Sequence, residues 1–141
     1  MKPIMQCVRE FIMTFPELKD GCLMLDYLGD KPVEYSVEPV PSERIYKKYT
    51  DGHVLKQQLF LFASRELYSA DINQLIENSA FYEKFENWIL HTALDNLSSF
   101  LDGRNAFAME ILTGNYLFDA DYNSARYQIQ LRLIYEEQEE L

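Results

Sequence analysis

Two histidines are the first candidates for chemistry in this 141-residue chain, and neither has the partners that acid–base or metal chemistry needs. His53 follows Asp51-Gly52 in a predicted turn, and His91 lies near the end of a predicted helix. Neither residue has another histidine, a cysteine or a carboxylate at the usual metal-ligand spacings. We interpret His53 as an exposed loop residue, and we expect His91 to contact the last carbonyls of its helix or water.

The carboxylates near the predicted turns could bind a hard cation, but their spacing does not match a known site. Asp102, Asp119 and Asp121 flank strands, without the Asp-x-Asp-x-Asp-Gly loop of calcium sites, and aspartate is common in turns. The chain also lacks a GxSxG motif, a Walker loop and a dinucleotide-binding fingerprint. We therefore predict no catalytic residue, no metal site and no cofactor, and we predict that the protein is not an enzyme.

One cationic cluster interrupts an acidic sequence. Arg44, Lys47 and Lys48 are interleaved with Tyr46 and Tyr49, whereas the whole chain has a formal net charge of -10. Arginine and tyrosine combine apolar area with directed hydrogen bonds, as they do at protein interfaces. We predict that these five residues form a contact surface for an acidic partner, which could be another copy of the chain. A solvated hairpin arm is the alternative.

Composition sets the limits for the remaining interpretation. The net charge of -10 argues against direct binding of a nucleic-acid backbone, which requires clustered lysine and arginine. The two cysteines, Cys7 and Cys22, are interpreted as buried free thiols of a reducing compartment. No apolar run approaches the roughly 18 residues of a membrane span, and the N-terminal segment is unlike a signal peptide. We predict one domain over residues 1–141 in the cytoplasm.

Apolar spacing predicts two helices. The first has one apolar stripe from Ile4 to Phe15, with Pro3 at a position that a first helical turn tolerates. The second is long: Asp71 and Gln74 resemble a capping box, and helical spacing continues to Ile89. We expect both helices to cover the sheet.

Period-two patterns predict the strands. The segment Cys22–Tyr27 and the alternating segment Val33–Glu38 favour a hairpin. Pro39 and Pro41 indicate that its second strand lies at a sheet edge or leaves the sheet at Glu38. We predict that this edge, with Val33, Tyr35 and Val37, meets the next subunit. The continuous apolar run Leu59–Ala63 is typical of a central strand.

The segment Asn105–Tyr135 is interpreted as two strands joined by a Gly114-Asn115 turn and a short polar link. In its second strand, apolar residues alternate with Gln128, Gln130 and Arg132, so one face is apolar and the other is polar. The polar face is either solvated or packed against a partner. The element order predicts an α+β fold: a mostly antiparallel sheet with two helices packed on one face.

Four segments carry a resemblance that spans nearly the whole chain: Asp26–Glu38, Leu59–Glu66, Phe81–Trp88 and Ala125–Gln130. They resemble small proteins encoded by siphophages and prophages of Gram-positive bacteria, which are called minor capsid or tail terminator proteins. The shared motifs are structural and carry no catalytic signature.

The resemblance implies a virion protein of the head–tail junction, assembled in the host cytoplasm. It would form a ring, typically of six copies, on the end of the tail tube, stop tube growth and join the tail to the head. Its partners would be further copies of itself, the tail tube protein and the head–tail connector proteins. DNA would pass through without specific binding, in keeping with the net charge of -10.

Two alternatives remain open. The first is a head-completion or neck protein, which binds on the portal side instead of the tube. The second is a monomeric protein-binding module that uses the segment Arg44–Tyr49 to capture a partner.

Overall fold

The computed structural model describes residues 2–18, 23–25, 34–67, 72–120 and 124–137. Three helices lie within these ranges: α1 (Ile4–Ile12), α2 (Ile72–His91) and α3 (Leu94–Ser98). The predictions of α1 and α2 are confirmed, and α3 was not predicted. The predicted capping residue Asp71 lies outside the described residues, as does Cys22.

Six strands form one sheet, and its order along the main path is β1-β2-β4-β6-β5, with β3 beside β4. The strands are β1 (Leu23–Leu25), β2 (Glu34–Val40), β3 (Ile45–Lys48), β4 (Val54–Leu67), β5 (Asn105–Ala120) and β6 (Ser124–Glu136). All the strand pairs are antiparallel except β1 with β2. The predicted α+β fold with a mostly antiparallel sheet is confirmed, and so is the central position of β4.

The predicted hairpin of the first two strands is wrong. Leu23 pairs with Tyr35 and Leu25 pairs with Val37, so β1 and β2 run in the same direction. A tight turn joins only antiparallel neighbours, and alternation alone does not determine strand direction. Pro39 lies inside β2 opposite Phe60, beyond the last residue that pairs with β1, where a missing N–H is tolerated.

The predicted Gly114-Asn115 turn is also wrong, although the two strands that it was meant to join exist. β5 continues through Gly114 to Ala120 and pairs with β6 along its length. Its register shifts at four places, one of them between Thr113 and Tyr116, where β5 advances one residue more than β6. The Gly-Asn pair therefore lies at a β-bulge, a feature that edge strands commonly carry.

One face of the sheet forms the core with the helices. Phe62 of β4 stacks on Phe85 of α2 with ring centroids 4.4 Å apart, and Phe11 of α1 stacks on Trp88 at 4.7 Å. Leu97 of α3 belongs to the same buried cluster. The three described helices therefore pack on a single face of the sheet.

The opposite face, here called the second face, carries residues that alternate with the core set. Leu61 pairs with Gln130 and Leu59 pairs with Arg132, each one residue away from a buried core position. No described helix packs on this face. The predicted polar side of β6 thus lies opposite the helices, where Gln128 is buried and Gln130 and Arg132 are partly exposed.

Candidate functional site

The end of the β3–β4 hairpin is the most exposed described segment, and we call residues 44–53 the arm. Its turn is closed by Tyr49 N–H, which donates to His53 O at 2.8 Å, and by Gly52 N–H, which donates to Tyr49 O at 3.1 Å. Gly52 has a φ of 95°, a conformation that favours glycine, and the Asp51 carboxylate accepts the His53 N–H at 3.0 Å. The arm is therefore an ordered hairpin.

All five residues predicted for the cationic contact surface lie on the arm. Arg44, Tyr46, Lys47, Lys48 and Tyr49 are exposed, and the Lys47 ammonium lies 4.9 Å from the centre of the Tyr49 ring. Only one carboxylate, Asp51, lies within the arm. The structure places the predicted residues on one exposed hairpin, with Tyr46 beside Arg132 and Lys47 beside Tyr49.

The other predicted interface residues do not form a surface. Tyr35 is 1% exposed and Val37 is 0% exposed, because both project from β2 into the core, and Tyr35 stacks on Phe62. The edge of β2 beside them is occupied by β1. Val33 lies outside the described residues. The predicted contact through the side chains of Tyr35 and Val37 is therefore corrected to a structural role.

The second face holds ion pairs between strands. Arg132 donates to Glu110 of β5 at 3.0 Å, and its guanidinium lies 5.1 Å from the ring centre of Tyr46 on the arm. Arg126 donates to Glu38 of β2 at 2.8 Å. These contacts fix the orientation of long side chains, so the face is ordered although none of the described helices packs on it.

A groove between α2, α3 and β5 was missed by the sequence analysis. It has a volume of about 270 Å³, and its rim carries Leu90, Leu94 and Phe107, whose side chains are 65%, 43% and 55% exposed. Phe107 is the extra residue of a bulge, since Ala106 pairs with Tyr135 and Ala108 pairs with Ile134. If side chains alternated strictly along β5, residues on either side of Phe107 would keep their faces in step with β6. The bulge breaks this alternation, and the sequence does not signal it.

The histidines occupy the positions expected of them. The His91 ring nitrogen Nδ1 lies 2.7 Å from the Asn87 carbonyl oxygen, one turn back along α2. His53 is exposed on the arm, and its Nδ1 lies 3.3 Å from a carboxylate oxygen of Glu136. Both groups are exposed, so this contact contributes little to stability.

The carboxylates serve local structure where they are described. Asp102 has a φ of 55° in the turn before β5, and its carboxylate accepts the Lys2 N–H at 2.6 Å. Asp121 lies outside the described residues. Within the described ranges, no three His, Cys, Asp or Glu residues lie close enough together to hold a metal ion.

A charged network lies beside the arm, where the chain leaves β6. Glu137 accepts Lys56 Nζ at 2.5 Å and Arg104 Nε at 2.9 Å. These two hydrogen bonds, from Lys56 first, lower the pKa of Glu137 below its ordinary value. The network connects β4, β5 and β6 at the end of the sheet that carries the arm.

No protein-family model matches the chain, and no curated protein matches it. None of the described helices is both long and apolar enough to cross a membrane. The candidate site consists of surfaces suited to protein contact: the arm, the second face and the groove.

Proposed function

We propose that this protein is a structural subunit of a phage particle, a tail terminator that forms a ring on the end of the tail tube, stops tube growth and joins the tail to the head. It acts without catalysis, and its partners are further copies of itself, the tube protein and the connector proteins of the head. Assembly takes place in the host cytoplasm, and the mature location is the head–tail junction.

The observation that carries this proposal is the one-sided packing of the sheet. The described helices cover one face, while the second face carries ordered ion pairs such as Arg132 with Glu110. The arm beyond it exposes both cationic and aromatic groups. A protein with an ordered sheet face on which no described helix packs, and with a hairpin of opposite charge to the rest of the chain, is suited to repeated contacts with neighbours.

The charge of the chain supports a ring through which DNA passes. A net charge of -10 repels a phosphate backbone, so a lumen lined by this protein would not retain DNA. The cationic residues Lys47 and Lys48 lie together on the arm, and we place them at a protein contact instead of the lumen. The resemblance of the four segments named above to tail terminator proteins supports the same function.

The experiment that tests the proposal combines purified tail tubes of the same phage with the protein. The expected result is that the protein binds one end of each tube and stops its extension, and that its mass in light scattering corresponds to a ring on the tube. A protein that stays monomeric and leaves tube growth unchanged would contradict the proposal.

A head-completion protein is the second candidate, and the location on the particle separates the two. A labelled antibody against this protein is applied to intact virions, tailless heads and free tails. For a terminator, it should mark free tails and the head–tail junction of intact virions. Labelling of tailless heads, without labelling of free tails, would support the head-completion function and contradict the terminator function. The variant Met13→Ser, at an exposed residue outside the arm and the groove, is a suitable control for the tube assay because it should cap tubes like the original chain.

A further inference from the structure

We infer that the arm of one copy of this protein occupies the groove between α2, α3 and β5 of a neighbouring copy. The inference rests on the proposed function in one respect, since it names the contact by which the proposed ring would form.

Six of the nine exposed large apolar side chains among the described residues lie in two places at the same end of the sheet. On the arm, Ile45 is 42% exposed, Tyr46 42% and Tyr49 40%; the groove carries the exposed residues Leu90, Leu94 and Phe107. Tyr49 and Phe107 line one shared hollow with Leu55 and the polar residues Asp51, His53 and Glu136, so the two clusters are adjacent. Exposed apolar clusters mark protein contact sites.

The two clusters differ in shape, and each fits the other. The arm is a two-stranded projection with aromatic side chains near its tip, held in place on the second face by Arg132. The groove is a concave site of about 270 Å³ with an apolar floor that includes Phe11 and Leu97. Aromatic side chains that enter apolar pockets are the usual anchors of protein interfaces.

The arm and the helices that form the groove carry net charges of opposite sign: α2 has three glutamates and one lysine, and α3 has one aspartate. Arg44, Lys47 and Lys48 flank the apolar residues of the arm. Glu83 and Glu86 lie on the same stripe of α2 as Leu90, at seven and four residues before it, and Asp95 follows Leu94 in the first turn of α3. Opposite charges around complementary apolar surfaces favour one docking orientation and disfavour groove-to-groove contact.

A second copy satisfies both surfaces with one kind of partner. An external acidic protein would match the charge of the arm but not that of the acidic helices that form the groove, whereas a neighbouring copy supplies an arm for each groove and a groove for each arm. Such a head-to-tail contact gives a closed ring when the rotation between copies closes.

Photo-crosslinking provides the decisive test. Tyr49 is replaced by the photoreactive p-benzoylphenylalanine, and chains with light and heavy isotopes are mixed before irradiation, with tail tubes present so that the assembled state is sampled. The expected result is crosslinks between light and heavy chains that join the arm to peptides containing Leu90, Leu94 or Phe107. Crosslinks within one chain only, or between chains at other peptides, would overturn the inference.

A charge exchange tests the orientation of the contact. Lys47→Glu with Lys48→Glu, and separately Glu83→Lys with Asp95→Lys, should each weaken association at least about tenfold. Combining the two pairs should restore most of the association. If chains that carry all four substitutions associate as weakly as the weaker of the two double variants, the arm and the groove do not contact each other.

Two substitutions of exposed apolar residues, one in the groove and one outside it, test whether the groove takes part in association. Leu90→Ser should weaken association, whereas Met13→Ser, at a residue 51% exposed outside both clusters, should not. Equal effects of the two variants would count against the groove. If the chains crosslink from arm to groove but never cap a tube, the contact is supported and the terminator function is refuted. Tube-capping rings that crosslink elsewhere would refute the contact alone.

Discussion

Arg132 of β6 and Tyr46 of β3 hold the arm against the second face of the sheet, with the guanidinium carbon 5.1 Å from the ring centre. The same arginine donates to Glu110 on β5, so the side chain of Arg132 contacts both β3 and β5. We expect this contact to limit the motion of the exposed arm relative to the sheet, in addition to its pairing with β4.

Arg132→Ala should loosen the arm more than it destabilises the fold. The substitution removes the stacking on Tyr46 and the pair with Glu110, and we expect a loss of about 1–2 kcal/mol in the free energy of unfolding. Amide hydrogen exchange over residues 45–49 should become several-fold faster. Lys84→Ala is the control, since its contact with Glu17 is 3.8 Å long and exposed. Equal exchange in the two variants would show that Arg132 does not hold the arm.

The hydroxyl of Tyr82 should be a major polar contribution to the core. It lies 2.5 Å from Ser64 Oγ and donates to the Tyr127 carbonyl at 3.1 Å, and the three residues are buried. Tyr82→Phe leaves buried polar groups without this partner, so we expect a loss of about 1–3 kcal/mol. Urea unfolding followed by the fluorescence of Trp88, the one tryptophan of the chain, measures it.

Tyr46→Phe is the matched control for that measurement. It removes a hydroxyl from an exposed ring that retains its contact with Arg132, and the expected change is within about 0.5 kcal/mol. A change for Tyr82→Phe no larger than for Tyr46→Phe would mean that the buried hydroxyl contributes little to stability.

Periodic patterns predicted the parts of the fold that bury one face. The stripe of α1 and the alternation of β6 both correspond to buried residues, such as Phe11 and Ile129, because burial selects the same side of an element at each repeat. The cationic cluster of the arm was also predicted, since its residue types differ from the rest of the chain.

Strand direction and pairing irregularities were not predictable in the same way. The parallel pairing of Leu23 with Tyr35 depends on the path of the chain between them and not on alternation. The exposure of Phe107 arises from a bulge against β6, and Gly114 has the same signal whether it lies in a turn or in a bulge. The groove was missed for this reason.

Cys7 should be unreactive in the folded protein. Its side chain is fully buried, with Sγ 3.8 Å from Arg104 Nη1, and burial raises the pKa of its thiol, so little thiolate is present at neutral pH. Iodoacetamide should not label the peptide that contains Cys7 until urea unfolds the chain, as read by mass spectrometry after digestion. Labelling of the native protein at the rate of the unfolded one would contradict the buried position.

Glu137 should make stability depend on pH in the acidic range. Hydrogen bonds from Lys56 and Arg104 lower the pKa of its carboxyl in the folded protein below the ordinary value of 4.5. As the pH falls below that ordinary value, the unfolded chain binds the proton before the folded chain does, so the free energy of unfolding decreases. The contribution is complete above the ordinary pKa and is lost as the pH falls through the lowered one.

Glu137→Gln should therefore be less stable than the original chain at neutral pH, and the difference should shrink as the pH falls. Urea unfolding at a series of pH values, followed by Trp88 fluorescence, measures both curves. Glu17→Gln removes the same charge at a carboxylate with only the 3.8 Å contact to Lys84, and it serves as the control. A difference between Glu137→Gln and the original chain that stays constant with pH would show that the bonds from Lys56 and Arg104 do not favour the charged carboxylate.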